Sequence, residues 1–269
     1  MKARLIVAGI GIPVLLVVLL WCPPVVTAIA IAALSAIGAN ELLYTTGILT
    51  HKRMVGYAMV AAALVPVWSY FGCPMLPFAA GAFVLGMLLF VEALAAYPDV
   101  KFNGVTAAFF AAIVIPVCLS GVLRIMMQGN GRFLVVIPIM MPFISDSGGY
   151  FGGWFFGKHK LAPVLSPKKT VEGAVGSVVT TMLAMVIYGL VVQFAFGKNF
   201  NYLYGLVYGL IAAPVSMIGD LSFSMVKREM GIKDYGKLFG AHGGVLDRFD
   251  SVIFATPLTE LLLLILPVL

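Results

Sequence analysis

Apolar residues form long runs along nearly the whole chain, separated by short polar or charged stretches. Nine such segments can be marked, and most approach the roughly 20 residues that an α-helix needs to cross a bilayer. Their approximate bounds are 5–21, 25–39, 55–71, 75–96, 105–123, 133–156, 172–196, 203–221 and 251–268. The pattern predicts an all-α fold, namely a polytopic integral membrane helical bundle of about nine transmembrane helices.

The first two apolar segments are short and are joined by a proline pair at 23–24, so they could form a hairpin that crosses the bilayer incompletely. The first segment follows two basic residues in the manner of a signal peptide, but it lacks a small-residue cleavage site. We therefore interpret it as a retained helix. A single membrane domain is expected over residues 1–269, with N-terminal helices over about 1–130 and catalytic helices and loops over about 131–269.

Composition and charge agree with a membrane protein, since 62% of the residues are hydrophobic and only 10% are charged. When successive loops are assigned alternately to the two sides, all 17 lysines and arginines except Arg124, Arg132 and Lys198 fall on one side. The positive-inside rule then places the N-terminus and the long basic loops at about 157–171 and 222–250 in the cytoplasm. The same rule accounts for the net charge of +6 without a nucleic-acid partner.

Residues 224–250 hold four of the 11 acidic residues and five of the 17 basic residues of the chain. Asp220 lies just before this stretch, at the predicted end of the eighth helix. Asp247 and Asp250 begin the ninth helix three residues apart, so they can share one face. Carboxylates from two helix ends can converge on a hard cation such as Mg²⁺, which commonly bridges to substrate phosphates.

Basic residues and glycines in the same stretch suit a phosphate-bearing ligand. Lysine and arginine side chains can neutralise phosphate oxygens, and adjacent glycines let backbone amides approach a ligand closely. The residues concerned are Lys227, Arg228, Lys233, Lys237, Arg248, Gly243 and Gly244, with His242 placed to touch substrate. The alternative is a basic loop that contacts anionic lipid headgroups, with the acids as local salt-bridge partners.

A second group of polar residues begins inside the sixth segment. Asp146 lies about midway along it, where a charge costs about 2.5–3.5 kcal/mol on insertion scales. The residue should therefore face a cavity or a polar partner, either in a functional site or in a buried polar network. Gly148, Gly149, Gly152 and Gly153 lie close by and favour close packing against another helix.

A third motif, Ser166-Pro167-Lys168-Lys169-Thr170, precedes the seventh helix. Thr170 is a suitable N-cap residue, and a helix N-terminus beside two lysines can bind an anion. An ordinary capped helix with basic flanks is the alternative. The predicted position of this loop on the same face as residues 222–250 favours a substrate contact by Ser166, Lys168 and Lys169.

Carboxylates for a metal, basic residues for phosphates and a membrane setting together suit phosphoryl or nucleotidyl transfer. Catalysis of such reactions consists mainly of positioning and charge neutralisation. An attacking phosphate has a second pKa of about 6 and is already largely ionised near neutral pH, so the reaction needs no general base.

One long run of residues carries a family resemblance. It reads Ser224-x-Val226-Lys227-Arg228, then Lys233-Asp234-x-Gly236, then Phe239-Gly240-x-His242-Gly243-Gly244-Val245-x-Asp247-Arg248-Phe249-Asp250. This run resembles the signature of the phosphatidate cytidylyltransferases, also called CDP-diacylglycerol synthases. The stretches 146–149 and 166–173 are also similar to that family, although Ser147-Gly148-Gly149 stands where Thr-Gly-Ala is expected.

The resemblance implies that CTP and phosphatidate react to give CDP-diacylglycerol and pyrophosphate with Mg²⁺ as cofactor. It also implies that Asp220 and Asp247 hold the metal, that a second, monovalent cation such as K⁺ could bind, and that the protein is a homodimer in the cell (inner) membrane. Lys168, Lys169, Lys227 and Arg228 would screen phosphate charge, and Asp250 would orient Arg248 or a metal-bound water.

Other functions fit parts of the same inventory. A CTP-dependent polyprenol kinase-type enzyme would use the same basic loops but would attack the γ-phosphorus. An ion-coupled transporter would use Asp146, Glu92 and Glu260 as an ion path and would have no need of CTP. A purely structural membrane anchor explains none of the paired acids.

Overall fold

The computed structural model describes residues 11, 13–72, 74–240 and 243–269. The first predicted segment therefore lies partly outside the described residues, and residues 13–20 of it are helical. The chain divides into two compact units, each built from two stretches of sequence. The first consists of Met1–Met127 with Lys227–Phe249, and the second consists of Gln128–Val226 with Asp250–Leu269.

Long helices make up most of the first unit. Their bounds are Pro24–Asn40 (α1), Lys52–Tyr70 (α2), Met75–Ala95 (α3), Phe102–Phe109 (α4) and Ile115–Met126 (α5). Two π-helical turns extend this framework: Glu41–Thr45 continues α1, and Phe110–Val114 joins α4 to α5. Pro24 opens α1 at a position where the missing amide hydrogen costs no helical hydrogen bond.

The second unit contains helices and one small hairpin. Its elements are Gly131–Leu134 (α6), Ile137–Phe156 (α7), Lys160–Ala162 (β1), Ser166–Thr170 (β2), Val171–Phe196 (α8), Tyr202–Glu229 (α9) and Leu246–Ile265 (α10). The last three residues of α9 and the first four of α10 count with the first unit.

The predicted all-α membrane class is confirmed, but the count of nine transmembrane helices is not. In the described part of the chain, six helical stretches are long and apolar enough to cross a membrane. The helices α2 and α10 are not among them, and both carry charged residues in their first turn. The six stretches are Pro24–Thr45, Met75–Ala95, Phe102–Met126, Gly131–Phe156, Val171–Phe196 and Tyr202–Glu229.

Three segments that the sequence predicts as loops contain regular secondary structure. The eighth helix does not end at Asp220, because α9 continues to Glu229 and so carries Lys227 and Arg228 in its last turn. Hydropathy marks where an apolar stretch ends, whereas lysine, arginine and glutamate readily continue a helix beyond that point. The loop at 40–54 likewise begins with a helical turn, Glu41–Thr45.

The predicted loop at 157–171 contains an antiparallel hairpin. Lys160 of β1 pairs with Thr170 of β2, and Ala162 pairs with Ser166. A strand of three residues carries too little alternation to be recognised in the sequence.

The glycines of α7 allow α8 to approach at backbone distance, as predicted. A Cβ atom built on Gly152 would lie 3.2 Å from the Gly176 Cα, and one on Gly176 would lie 2.9 Å from the Gly148 carbonyl oxygen. Across the same contact, the Ser177 hydroxyl donates a hydrogen bond to the Ser145 carbonyl oxygen at 2.6 Å. Small residues thus bring the backbones together, and a hydroxyl adds a polar link between the helices.

Replacement of Gly176 by alanine should destabilise the α7–α8 pair. Overpacking of this kind costs about 1–3 kcal/mol, which exceeds the gain of up to about 1 kcal/mol in helix propensity. The measurement is thermal or denaturant unfolding of the purified variant in detergent.

Gly81→Ala is the matched control, because Gly81 lies inside α3 and a Cβ there would meet nothing within 4 Å. The control should retain or exceed wild-type stability. If Gly176→Ala were as stable as Gly81→Ala, the close approach of α7 and α8 would be wrong.

Candidate active site

In the first unit, the Asp247 carboxylate is the centre of a group of buried polar contacts. Its Oδ1 atom accepts a hydrogen bond from Lys227 Nζ at 2.9 Å. Its Oδ2 atom accepts from the backbone amides of Tyr235 at 2.7 Å and Gly244 at 3.0 Å. We call these four residues together with Glu41 the Asp247 cluster. The Asp247 side chain is only 2% exposed, so its charge depends on these donors rather than on water.

Lys227 is also largely buried, with 11% of its side chain exposed. Its ammonium group lies 5.4 Å from the centre of the Tyr235 ring, in the range of a cation–π contact. A buried ion pair of this kind contributes little net stability when it is intact. Removal of one partner is costly, because the other charge remains buried without compensation.

The glycine pair beside Asp247 has a clear structural reason. Gly243 has a φ of +82°, which side chains rarely adopt, and a Cβ there would lie 2.6 Å from Asp247 Oδ2. A Cβ on Gly244 would overlap the Glu41 carboxylate. In this structure the two glycines make room for carboxylates, and the predicted contact of both with substrate stays a prediction.

Glu41 was missed by the sequence analysis. It is 4% exposed, and its two carboxylate oxygens accept hydrogen bonds from the amides of Val245 and Leu246, each at 3.0 Å. The available signal was an acid directly after an apolar run, together with a helix start at Val245-Leu246 that has no polar side chain to cap it. Sequence distance hid the connection, since more than 200 residues separate the partners.

Other predicted site residues of 224–250 lie at the surface or outside the described residues. Arg228, Lys233 and Arg248 are exposed. His242 lies outside the described residues, so its predicted contact with substrate stays a prediction. Exposed basic side chains remain accessible to a phosphate, whereas Lys227 would have to loosen its contact with Asp247 to reach one.

The second unit places several predicted residues around one cavity of about 160 Å³, which we call the hairpin pocket. Asp146 and Gly149 of α7 line it together with Lys168 and Lys169 of β2, so two motifs far apart in sequence meet here. Asp146 faces a cavity, as predicted. The full lining consists of Ser145, Asp146, Gly149, Tyr150, Leu161, Lys168, Lys169, Thr170, Gly173, Ala174, Ser177 and Met217.

Lys169 links the hairpin pocket to α9 through an ion pair with Asp220, with 2.5 Å between Nζ and Oδ2. The two side chains are 21% and 26% exposed, but the Lys169 Nζ atom itself is buried. Next to Asp220, a Cβ on Gly219 would lie 3.0 Å from the Asp250 carbonyl oxygen, which shows how closely α9 and α10 approach. Asp250 is buried and accepts a hydrogen bond from the Ser251 amide at 2.7 Å.

The start of α8 fixes the base of the hairpin. Thr170 caps the helix as predicted, because its hydroxyl oxygen accepts a hydrogen bond from the Gly173 amide at 3.1 Å. Glu172 accepts hydrogen bonds from the amides of Lys158 and His159 and contacts the His159 ring nitrogen Nδ1 at 2.6 Å. The loop before β1 is thus tied to the first turn of α8. Ser166 is half-buried at the start of β2.

Asp220 and Asp247 have the chemistry that a magnesium site requires. Within the described residues, no group of three or more histidine, cysteine or acidic side chains could hold a metal ion. Mg²⁺ does not need such a cage, because it keeps several waters and binds through one or two carboxylates plus substrate phosphates. Each carboxylate by itself has the oxygen donors that Mg²⁺ prefers, and the joint assignment of Asp220 and Asp247 as its ligands stays a prediction.

One family model matches nearly the whole chain, and individual known proteins match part of it. A family model described as "Cytidylyltransferase family" matches residues 2–266. A phosphatidate cytidylyltransferase of Staphylococcus haemolyticus is 34% identical over 164 residues, which cover 61% of this chain and 62% of that relative. A phosphatidate cytidylyltransferase of Haemophilus influenzae is 35% identical over 161 residues, which cover 58% of this chain and 56% of that relative.

The matched stretches therefore span less than two thirds of these curated relatives, whereas the family model extends over almost every residue of the chain. Because the family match covers both compact units and all the helices described above, the chain belongs to the cytidylyltransferase family.

Proposed function

We propose that this protein transfers the cytidylyl group of CTP to phosphatidate, giving CDP-diacylglycerol and pyrophosphate for phospholipid biosynthesis. The main support is the membership of the chain in the cytidylyltransferase family, with relatives named phosphatidate cytidylyltransferase. The apolar helices suit a lipid substrate whose acyl chains stay in the bilayer. The carboxylates and lysines of the two units suit phosphate-bearing reactants.

In the proposed reaction, a phosphate oxygen of phosphatidate attacks the α-phosphorus of CTP. A new phosphorus–oxygen bond forms as the bond from the α-phosphorus to the bridging oxygen of the β-phosphate breaks. The electron pair leaves with pyrophosphate. Because the attacking phosphate is already ionised near neutral pH, no side chain has to remove a proton.

The basic residues would offset the negative charge that gathers when two phosphate-bearing molecules meet. Lys168 and Lys169 line the hairpin pocket and are the candidates for this charge neutralisation in the second unit. Lys227 and Arg228, in the last turn of α9, are the candidates in the first unit. Fixed positive groups aimed at phosphate oxygens lower the barrier because they need no reorganisation during the reaction.

Mg²⁺ belongs to the same proposal. When bound, it would supply positive charge to the phosphate oxygens, with Asp220 and Asp247 as its protein ligands. Asp250 would act as a positioning residue for Arg248 or for a metal-bound water. A second, monovalent cation such as K⁺, a homodimeric state, and an inner-membrane location with cytoplasmic loops and N-terminus complete the proposal. They rest on the sequence resemblance and the charge distribution.

The first test is the reaction itself. Purified protein supplied with phosphatidate, Mg²⁺ and CTP should release pyrophosphate, and label in the α-phosphate of CTP should appear in lipid. A polyprenol kinase-type enzyme would instead transfer the γ-phosphate and release CDP. Omission of phosphatidate is the control, and lipid labelled only from γ-labelled CTP would overturn the proposal in favour of a kinase.

Replacement of Asp220 by asparagine should abolish most activity and leave the protein folded. The side chains of Lys169 and Asp220 are 21% and 26% exposed, so loss of their ion pair should cost less than the about 3–5 kcal/mol typical of a fully buried pair. The loss of a group that organises transition-state charge lowers kcat by about 100-fold or more. Pyrophosphate release and thermal unfolding are measured on the same preparation.

Asp99→Asn is the matched control, since Asp99 is an exposed acid between α3 and α4 with no role in the proposed chemistry. It should keep wild-type activity. Near-normal turnover by Asp220→Asn would remove Asp220 from the mechanism.

Asp247 should affect both folding and activity. Asp247→Asn leaves the buried Lys227 ammonium without its counter-charge, which costs about 3–5 kcal/mol of unfolding free energy. The double variant Lys227→Gln/Asp247→Asn removes both charges and should recover much of that stability without recovering turnover. Unfolding in denaturant and pyrophosphate release form the double-mutant cycle.

If the double variant were destabilised by the sum of the losses in Lys227→Gln and Asp247→Asn, the two side chains would not be energetically coupled. Turnover by the double variant at the wild-type rate would show that neither charge is needed for the reaction.

A further inference from the structure

We infer that Glu41 is a positioning residue for the proposed reaction: its carboxylate fixes the start of α10 and thereby the Asp247 side chain. The inference rests on the proposed function, because it assigns Asp247 a part in cytidylyl transfer. Glu41 itself touches only protein groups in the contacts described above. Its effect on the chemistry would therefore be indirect, through the geometry of the Asp247 cluster.

The helix α10 has no polar side chain at its N-cap position, Val245. The first amides of any helix have no acceptor within the helix and need one from elsewhere. Most helices use a serine, threonine, aspartate or asparagine just before the first turn. Here that position is held by Val245, whose side chain has no oxygen. The Glu41 carboxylate accepts from Val245 and Leu246 instead.

The Glu41 carboxylate also fits the start of α10 electrostatically. A helix N-terminus carries a partial positive charge, so a carboxylate placed there is stabilised beyond its individual hydrogen bonds. Glu41 is buried at 4% exposure, and burial strengthens this attraction because water does not screen it. A buried carboxylate without such donors would be costly. Glu41 and the start of α10 therefore stabilise each other.

The backbone around Glu41 packs closely against its carboxylate. Side chains are excluded at both Gly236 and Gly244, because a Cβ on either glycine would overlap the Glu41 carboxylate. The loop before α10 thus closes on Glu41 from two sides. Gly244 also donates its amide to Asp247 Oδ2, so the same residue that adjoins Glu41 holds the Asp247 carboxylate.

These contacts form a short path from Glu41 to Asp247. Glu41 holds the amides of Val245 and Leu246, Gly244 immediately precedes them, and Asp247 immediately follows them. Rotation or fraying of this turn would move the Asp247 oxygens away from Lys227 and Tyr235. The chain segments concerned all belong to the first compact unit.

Glu41→Gln tests the inference in the full-length protein. The glutamine oxygen can still accept one amide hydrogen, but its amino group faces the other donor and cannot. We expect kcat for pyrophosphate release to fall about 10–100-fold, as is typical when a residue that orients a ligand is changed. The KM values for CTP and phosphatidate should change little, because Glu41 does not contact substrate.

Hydrogen exchange supplies a readout other than activity. Peptides that cover residues 243–250 should exchange on the order of tenfold faster in Glu41→Gln than in the wild type. Peptides from α3 should be unchanged. A residue that matters only for global folding would raise exchange throughout the chain and leave the kcat of the folded fraction at its wild-type value.

Two further variants complete the design. Glu41→Asp keeps the charge and can recover part of kcat, and it serves as the test protein should Glu41→Gln fail to fold. Glu92→Gln is the matched control, since Glu92 is a half-buried helix carboxylate of the same unit that accepts a hydrogen bond from the Tyr57 hydroxyl at 3.1 Å. It should keep wild-type kcat and wild-type exchange at residues 243–250.

The outcomes separate the two proposals. Wild-type protein that releases no pyrophosphate overturns the proposed function. Active wild-type protein together with a Glu41→Gln variant of equal kcat, or of unchanged exchange at residues 243–250, overturns the role of Glu41 alone. A lowered kcat with unchanged KM and faster local exchange supports it.

Discussion

The first compact unit has to stabilise the buried negative charge of the Asp247 carboxylate. A carboxylate that is 2% exposed must find its stabilisation inside the protein, and it does so with one ammonium group and two backbone amides. This requirement explains the local sequence. Lys227 has to reach inward from the end of α9, Tyr235 has to present its amide, and Gly243 has to adopt a left-handed conformation.

In the second unit, polar side chains have to be placed beside the apolar helix pair of α7 and α8. Backbone contact between α7 and α8 at Gly152 and Gly176 leaves no space for larger residues. Asp146 of α7 lines the hairpin pocket, and the hairpin brings Lys168 and Lys169 to the same cavity. The close packing of these glycines therefore also brings the polar residues of the hairpin pocket together.

The helices could be predicted from apolar runs because a bilayer demands about 20 apolar residues whatever the partners of the helix are. The Thr170 cap could be predicted because its partner, Gly173, is three residues away. The extension of α9 to Glu229 could not be predicted, because hydropathy does not report how far a helix continues beyond its apolar stretch. The contacts of Glu41 could not be predicted either, because a contact across 204 residues leaves no local pattern. The ion pairs of Asp220 and Asp247 also required coordinates, since sequence gives the charges but not their partners.

The short strand β2 constrains how the hairpin can vary in length. Successive side chains of a strand point to opposite faces, and Lys168 is exposed while its neighbour Lys169 is half-buried against Asp220. Insertion of one residue between Lys169 and the Thr170 cap would exchange the two faces and turn the paired lysine toward solvent. The turn between the strands can tolerate insertions, whereas the junction of β2 with α8 has to keep its length.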